Sequence, residues 1–160
     1  MKLRLNLACG DDYREGFENL DYRTDCGADR YADVGVRLPY FPETVELIVA
    51  QDCLEHIPFT RTKAVLAEWR RVLVPEGELR VRVPHMRFWA EAILGQHPEL
   101  SMFQIMEHIY GGHRWGPDGL WDAHQAGWTP ESMRAELDEA GFQVVYQDNN
   151  PDFYTYGIKR

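Results

Sequence analysis

Short apolar runs separated by polar or small residues predict four β-strands in the first half of the chain. Residues 3–7 alternate apolar with polar side chains, and residues 17–21 and 32–34 form two shorter runs. Residues 45–50 are apolar except for Glu46 and rich in β-branched side chains, which is typical of a strand buried on both faces.

The middle of the chain changes from strand to helix periodicity and back. Residues 59–73 carry apolar side chains at helical spacing, so they predict an amphipathic helix, for which Thr60 or Thr62 supplies the N-terminal cap. Pro75 and the residues after it end this helix, and residues 78–83 alternate as a fifth strand.

The C-terminal part predicts one more helix and a hairpin. Thr129 and Pro130 are a helix start, and Gly141 is the expected stop. Residues 142–146 and 153–158 then predict two strands joined by a polar turn. We expect residues 153–158 to be a sheet edge at which a second copy could pair, so the predicted state is a monomer or a homodimer.

Strands separated by helices predict an α/β fold with a mostly parallel sheet. In such sheets the ligand crevice lies beyond the carboxyl ends of the strands. That rule places several polar and small residues along one rim: residues 9–12, Asp21, Asp33, Gln51, Asp52, Pro84 and His85.

Length and charge narrow the function classes. The 160 residues suffice for one domain with one core, so we expect a single domain over residues 1–160. The chain has 26 acidic and 17 basic residues and a net charge of −9, which disfavours a general nucleic-acid binder. Four basic residues on the first predicted helix keep a nucleic-acid substrate as an alternative: Arg61, Lys63, Arg70 and Arg71.

The three cysteines, Cys9, Cys26 and Cys53, have no paired spacing, which favours a reducing cytoplasm over a disulfide framework. We find no signal-peptide pattern and no apolar run of the ~20 residues that a membrane helix needs. The sequence therefore predicts a cytoplasmic protein without a membrane partner.

The segment 85–128 is too long for a plain connection, and we expect it to form a lid or substrate insertion. It is rich in aromatic residues and contains Gly111 and Gly112, which predict a hinge or a tight turn. It also holds five of the six histidines: His85, His97, His108, His113 and His124. Their spacing matches no standard ligand pattern, so we predict no metal site.

Several motifs, in this order and spacing, resemble the class I S-adenosylmethionine (SAM)-dependent methyltransferases, and in particular the methyltransferase type 11-like group. The likeness extends from residue 3 to about residue 145. The motifs are residues 5–10 (LNLACG), 19–21 (NLD), 38–40 (LPY), 45–48 (VELI), 54–57 (LEHI), 69–79 (WRRVLVPEGEL), 127–132 (GWTPES) and 140–142 (AGF).

The resemblance implies a Rossmann-like fold with an antiparallel C-terminal strand, and SAM as cofactor with S-adenosylhomocysteine (SAH) as product. In that family the turn after the first strand holds the methionine part of SAM, the acid after the second strand binds the ribose, and the third strand leads to the adenine. Carried onto this chain, the cofactor-binding residues are Asn6, Ala8, Cys9, Gly10, Asp21, Asp33, Val34, Gln51, Asp52 and His56.

The chain departs from the family pattern at its first loop. Only ten residues separate Gly10 from Asp21, whereas a nucleotide-binding fold places this acid ~20 residues on. The first helix is therefore expected to be shortened or absent.

Methyl transfer from a sulfonium needs orientation and exclusion of water more than chemical activation. A hydroxyl acceptor would also need a base, and we expect His113 or His124, with His108 behind them. The predicted activity is transfer to a small-molecule or sugar-type acceptor. A non-catalytic SAM-binding or partner module, and a nucleic-acid or protein methyltransferase, are alternatives; an oxidoreductase is weaker, since G-x-G-x-x-G is absent after the first strand.

Overall fold

The computed structural model describes residues 2–160 and contains one seven-stranded sheet in the order β3-β2-β1-β4-β5-β7-β6. The first five strands are parallel, and β7 is antiparallel to both β5 and β6. This confirms a mostly parallel α/β sheet with antiparallel C-terminal strands. The strands are β1 (Leu3–Leu7), β2 (Glu18–Asp21), β3 (Arg30–Tyr31), β4 (Val45–Gln51), β5 (Leu73–Pro84), β6 (Phe142–Gln147) and β7 (Asp152–Lys159).

Four α-helices accompany the sheet in the described part of the chain. They are α1 (Thr62–Val72), α2 (Met86–Ile93), α3 (Met102–Tyr110) and α4 (Pro130–Glu139). Short 3₁₀ turns cover Leu54–His56, Phe59–Arg61 and Pro117–Gly119. No described helix is long and apolar enough to span a membrane.

The predicted cap of α4 is confirmed and that of α1 is wrong. The Thr129 hydroxyl accepts from the Ser132 N–H at 3.3 Å, which satisfies one of the free donors at the start of α4. The first helix instead begins after the 3₁₀ turn, with no side-chain cap at Arg61. Thr62 lies inside the helix, and its buried hydroxyl has no partner among the described residues.

Three strand predictions need correction. The third strand covers Arg30–Tyr31 rather than residues 32–34, and its contact with β2 ends where the Ala32 N–H donates to the Asp21 carbonyl at 2.8 Å. Strand β5 begins at Leu73, so the turn around Glu76 lies within it. Strand β7 is wrongly predicted as an edge, since it pairs on both sides and β6 and β3 are the edges.

Side chains replace the helix that is absent between β1 and β2. Residues 8–17 form turns, as the short spacing predicts. The amide of buried Asn6 donates to the Asp12 carbonyl at 2.7 Å and to the Asn19 side chain at 2.9 Å. The Asn19 side chain in turn accepts from the Arg14 N–H at 2.9 Å. Two asparagines therefore give this loop the backbone partners that a helix would have supplied.

The apolar residues form two separate clusters. The main core lies between the sheet and helices α1 and α4, around the fully buried Trp69, Phe142 and Phe153. A small second core belongs to α2 and α3 and centres on Trp89 and Ile105. The middle of segment 85–128 thus has a small core of its own, while Trp128 at its end belongs to the main core.

The basic side chains on and before α1 are all engaged in contacts within the chain. Arg61 donates to the Gly35 carbonyl, and Lys63 pairs with Glu139 at 2.6 Å. Arg70 donates to the Arg160 carbonyl, and Arg71 pairs with Glu68. Of the basic patch that kept a nucleic-acid acceptor as an alternative, two side chains are therefore paired with acids and two are bound to backbone carbonyls.

Glu68 attaches the loop before β4 to helix α1. Its carboxylate accepts from the Leu38 N–H at 2.8 Å and from the Arg71 guanidinium at 2.6 Å. The Arg71 guanidinium also donates to the Tyr40 carbonyl at 3.0 Å. Arg71 holds the pKa of Glu68 below its usual value, so the folded state favours the ionised carboxylate.

We expect Glu68→Gln to lower the free energy of unfolding by about 1–2 kcal/mol, because it removes the charge from two hydrogen bonds. Since the pKa is depressed in the folded state, the stabilisation is complete above the unfolded-state pKa and is lost as pH falls through the folded-state value. Urea unfolding at neutral and acidic pH measures both effects. Glu139→Gln, in an exposed pair, is the matched control and should change little.

Candidate active site

The loops after β1, β2, β3 and β4 line one cavity of about 590 Å³ at the carboxyl edge of the sheet. The structure brings together seven of the ten predicted cofactor-binding residues here. They are Ala8, Gly10, Asp21, Asp33, Val34, Asp52 and His56. The cavity has the size of a small-molecule or cofactor site.

Asp21 organises the floor of this cavity. Its carboxylate accepts from the Gly10 N–H and the Arg23 N–H, each at 2.7 Å and each on a different oxygen. The side chain is largely buried yet lines the cavity. A carboxylate has about four acceptor positions, so two remain for a ligand.

Two strand ends at the cavity adopt the left-handed backbone conformation. Ala8, directly after β1, has φ 53°, and Asp52, directly after β4, has φ 48°. Non-glycine residues adopt this conformation uncommonly, and it is often retained at functional sites. Arg82 from β5 donates to both oxygens of Asp52, which fixes the acid at the rim.

The other three predicted cofactor residues, Asn6, Cys9 and Gln51, line an adjoining cavity of about 240 Å³ that shares Ala8, Gly10 and Asp52 with the first. Gln51 accepts from Arg14 at 2.7 Å and donates to the Tyr154 hydroxyl at 3.1 Å.

Two of the predicted cofactor residues, Cys9 and Val34, interact with the protein around them. Burial raises the pKa of the Cys9 thiol to about 12, and the neighbouring Asp21 adds to the shift, so this sulfur remains protonated. The Val34 carbonyl accepts from the Trp69 indole at 3.2 Å, which ties the loop after β3 to the main core.

Segment 85–128 supplies the outer wall of the large cavity through Trp115, Leu120 and Trp121. The Trp121 ring meets Tyr22 edge to face at 5.2 Å between centroids. The Arg23 guanidinium lies 3.8 Å from the Trp115 ring centroid. Aromatic and cation–π contacts therefore join the insertion to the loop after β2.

A third cavity, of about 240 Å³, lies beside the large one and shares Asp52, His56 and Asp122 with it. His108 and His124 line it, together with Glu55, Asp152 and Arg114. His113 lines none of these three cavities and is exposed. The structure thus brings together two of the three predicted catalytic histidines and leaves His113 apart.

His124 reaches this cavity because its segment returns onto the turn after β4. The Glu55 carbonyl accepts from the N–H groups of Gln125 and Ala126 at 2.7 and 3.1 Å. Gly111 makes the return possible, since it forms a bridge with Ala123 and lies against the Asp122 carbonyl, with φ 88°. A side chain at position 111 would collide with that carbonyl.

Burial shifts the pKa values of the acidic and imidazole side chains that line the third cavity. It raises the pKa of Glu55 well above its usual value, with Asp52 adding to the shift. It lowers the pKa of His124 to about 4, with repulsion from His56 as the second cause, and lowers that of His56. Near pH 7 both imidazoles are therefore neutral.

Sequence reasoning missed two residues that line the third cavity, Glu55 and Asp152. Glu55 is not among the predicted site residues, and it lines the third cavity. Asp152 reaches the same cavity because it pairs with Pro84 at the carboxyl end of β5. Only the strand order could have revealed that position, since β7 runs antiparallel beside β5.

The family model and the solved structures that resemble this chain are those of methyltransferases. The methyltransferase domain family matches residues 23–81. A SAM-dependent methyltransferase from Methanosarcina mazei superposes with a TM-score of 0.68 at 14% identity, covering 99% of this chain and 92% of that one. One from Thermotoga maritima gives 0.68 at 11% identity, over 100% and 83%. The chain therefore has the fold of SAM-dependent methyltransferases, and the family model matches its middle part.

A third similar structure is the 1,6-didemethyltoxoflavin N1-methyltransferase of Burkholderia thailandensis with its substrate and SAH bound. It superposes on this chain with a TM-score of 0.64 at 12% identity, covering 99% of this chain and 71% of that one. No curated protein matches the sequence significantly. These findings support the predictions of family, enzyme class and cofactor, while identities this low show the fold and not the acceptor.

We expect Gly111→Ala to destabilise the protein by about 2 kcal/mol more than Gly95→Ala does, because of steric overlap where segment 85–128 returns to the turn after β4. Both glycines have positive φ, but position 95 has open space for an added methyl group. Chemical unfolding of the two variants separates steric overlap from backbone strain. Equal losses would contradict the close approach as the cause.

Proposed function

We propose that this protein is a SAM-dependent methyltransferase. It transfers the methyl group of SAM to a small hydroxylated acceptor, of small-molecule or sugar type, and releases SAH. The observation that supports this most directly is the pair of adjoining cavities. The larger has the size and strand-end position of a cofactor site. The smaller opens from it beside Asp52 and His56 and is lined by three histidines, His56, His108 and His124.

In this proposal SAM occupies the large cavity and extends past Ala8 and Gly10 into the space beside Asn6, Cys9 and Gln51. Gly10 has no side chain, so the methionine end of SAM can approach the backbone of this turn closely. The two free acceptor positions of Asp21 suit the ribose hydroxyls. Asp33 and Val34 would then lie on the adenine side.

Asn6 and Gln51 act differently from the sequence-based prediction in this proposal. Their side chains make hydrogen bonds within the protein, Asn6 to Asp12 and Asn19, and Gln51 to Arg14 and Tyr154. We assign them the role of holding the first loop and the rim in place, next to the cofactor.

Segment 85–128 acts as the lid in this proposal. Its small second core allows it to keep its own fold, while Trp115 and Trp121 cover the cofactor cavity. Exclusion of water protects the sulfonium and strengthens polar contacts inside the site. The lid also supplies most of the acceptor cavity, so it would select the acceptor.

The acceptor cavity favours a small and uncharged or cationic molecule. Its lining includes the acids Asp52, Glu107, Asp122 and Asp152, against Arg114 as the single basic lysine or arginine side chain. Its volume of about 240 Å³ fits a small molecule rather than a folded chain. A polyanionic acceptor would be repelled, in agreement with the net charge of −9.

The reaction itself is an in-line displacement. The acceptor oxygen forms a bond to the methyl carbon as the carbon–sulfur bond breaks, and the electron pair stays on sulfur in SAH. The hydroxyl proton must pass to a base. We propose His108, whose Nδ1 lies 2.8 Å from the Gln104 carbonyl, so that Nε2 carries the lone pair.

Asp21→Asn should abolish measurable SAM and SAH binding in calorimetry. The substituted amide presents one acceptor oxygen instead of two, and the loop contact to Gly10 or Arg23 is lost. Asp25→Asn is the control, since Asp25 is exposed and pairs with Arg23 outside the cavity. Thermal unfolding verifies that both variants are folded. An unchanged SAM affinity for Asp21→Asn would refute the cofactor site.

His108→Gln should lower turnover by a factor of about 100 or more while SAM affinity stays the same, as loss of a general base does. His97→Gln, in the same lid but outside the cavities, should leave turnover within twofold. The assay measures SAH release with a panel of sugars and phenols, beside RNA and protein. Transfer to RNA or protein alone, or SAM binding without any transfer, would favour the alternatives.

A further inference from the structure

The fold brings together three potential metal ligands that lie far apart in sequence. Glu55 and His56 come from the 3₁₀ turn after β4, and His124 comes from the end of the lid. One ligand atom from each of the three lies within 4.8 Å of the others. The prediction that there is no metal site considered the lid histidines among themselves, and so it did not include this combination.

Both imidazoles are oriented as metal-binding histidines usually are. The Nδ1 atom of His124 lies 2.9 Å from the His108 carbonyl, and Nδ1 of His56 lies 3.3 Å from the Ala123 carbonyl. A carbonyl accepts hydrogen bonds only, so each Nδ1 carries the hydrogen and each Nε2 has a free lone pair. A backbone carbonyl on the second nitrogen is the usual way in which a protein fixes a ligating histidine.

The Glu55 side chain is the unexplained group at this position. It is only 1% exposed, and its Oε2 atom has no hydrogen-bond partner among the described residues. A buried carboxyl group without a partner costs free energy, whether it is neutral or charged. A cation between Glu55 and the two imidazoles would supply the missing partner.

We propose that Glu55, His56 and His124 bind one divalent transition-metal ion, of the Zn²⁺ type, at the boundary between the two cavities. Two imidazoles and one carboxylate are a donor set that suits zinc and leaves a coordination position open. Tetrahedral binding would bring the ligand atoms to roughly 3.3 Å from one another, which small side-chain rotations achieve. Mg²⁺ is less suited, because it prefers oxygen ligands.

The open position suggests the role of the ion, and this step rests on the proposed function. His56 and Glu55 line the acceptor cavity, so the open position would take an oxygen of the acceptor. A bound divalent ion also favours the deprotonated form of a coordinated hydroxyl. The acceptor class would then be a hydroxylated molecule that can coordinate zinc.

A second cluster, of Cys9, Asp21 and Cys26, also has ligand atoms within 4.8 Å of one another and must be distinguished in any test. Here the groups already have partners. Asp21 accepts from two backbone N–H groups, and the Cys26 sulfur lies 3.2 Å from the Arg23 carbonyl. The structure therefore favours the histidine site.

The test measures Zn²⁺ binding to the full chain after removal of metal by a chelator. Competition with a chromophoric chelator gives the affinity, and elemental analysis after dialysis gives the stoichiometry. We expect one ion per chain for the wild type. Glu55→Gln and His124→Gln should each weaken binding by more than about 100-fold, because even an outer partner of a ligand contributes about 10–100-fold.

Two variants serve as controls. His108→Gln should retain Zn²⁺ binding, since only the backbone carbonyl of His108 contacts His124. Cys26→Ser should also retain it, since it removes a sulfur of the other cluster. SAM calorimetry and thermal unfolding on every variant verify the fold independently of the metal.

Absence of Zn²⁺ binding by a wild-type chain that still binds SAM would overturn the metal site and leave the proposed function intact. Unchanged affinity in both Glu55→Gln and His124→Gln would also overturn it. Loss of the ion in Cys26→Ser alone would assign the ion to the cysteine cluster instead. Loss of SAM binding in the wild type would count against the proposed function and not against the metal.

Discussion

The short connection between β1 and β2 is the constraint on which the active-site edge depends. Ten residues cannot form a helix and two turns, so the chain lacks the helix that would otherwise follow β1. The Asp21 carboxylate therefore binds the Gly10 and Arg23 backbone, and Asn6 and Asn19 bind the rest of the loop. Asp21 and Asn6 consequently both line the cavities at this edge and stabilise the loop.

The lid, segment 85–128, forms a wall of the large cavity beside the shortened loop. Trp121 contacts Tyr22 and Trp115 contacts Arg23, so the lid adheres to the loop after β2. Its other end returns to Glu55, whose carbonyl accepts from Gln125 and Ala126. The lid thus connects the proposed cofactor cavity to the proposed acceptor cavity through backbone hydrogen bonds as well as side chains, and it carries His108 and His124 into the proposed acceptor cavity.

Most of the fold follows from local patterns in the sequence. Buried strands such as β4 show apolar runs, and strand ends at Asp21 and Asp52 show polar residues, so their common edge could be predicted. The positions of β6 and β7 within the sheet were harder to predict, because a hairpin pattern does not show which of its two strands pairs with β5. Seven predicted cofactor residues line one cavity, because the carboxyl ends of the parallel strands meet at one edge of the sheet. The meeting of His124 with Glu55 had no local signal, since it depends on the return of the lid.

The small core of α2 and α3 has a consequence for how this fold could diversify. Trp89 and Ile105 are packed within the lid and not against the main core. Substitutions on the lid face that borders the proposed acceptor cavity therefore place little strain on the sheet. Under the proposed function, a scaffold of this kind can exchange its acceptor repertoire by replacing one compact segment, while the edge proposed to hold the methyl donor is inherited unchanged.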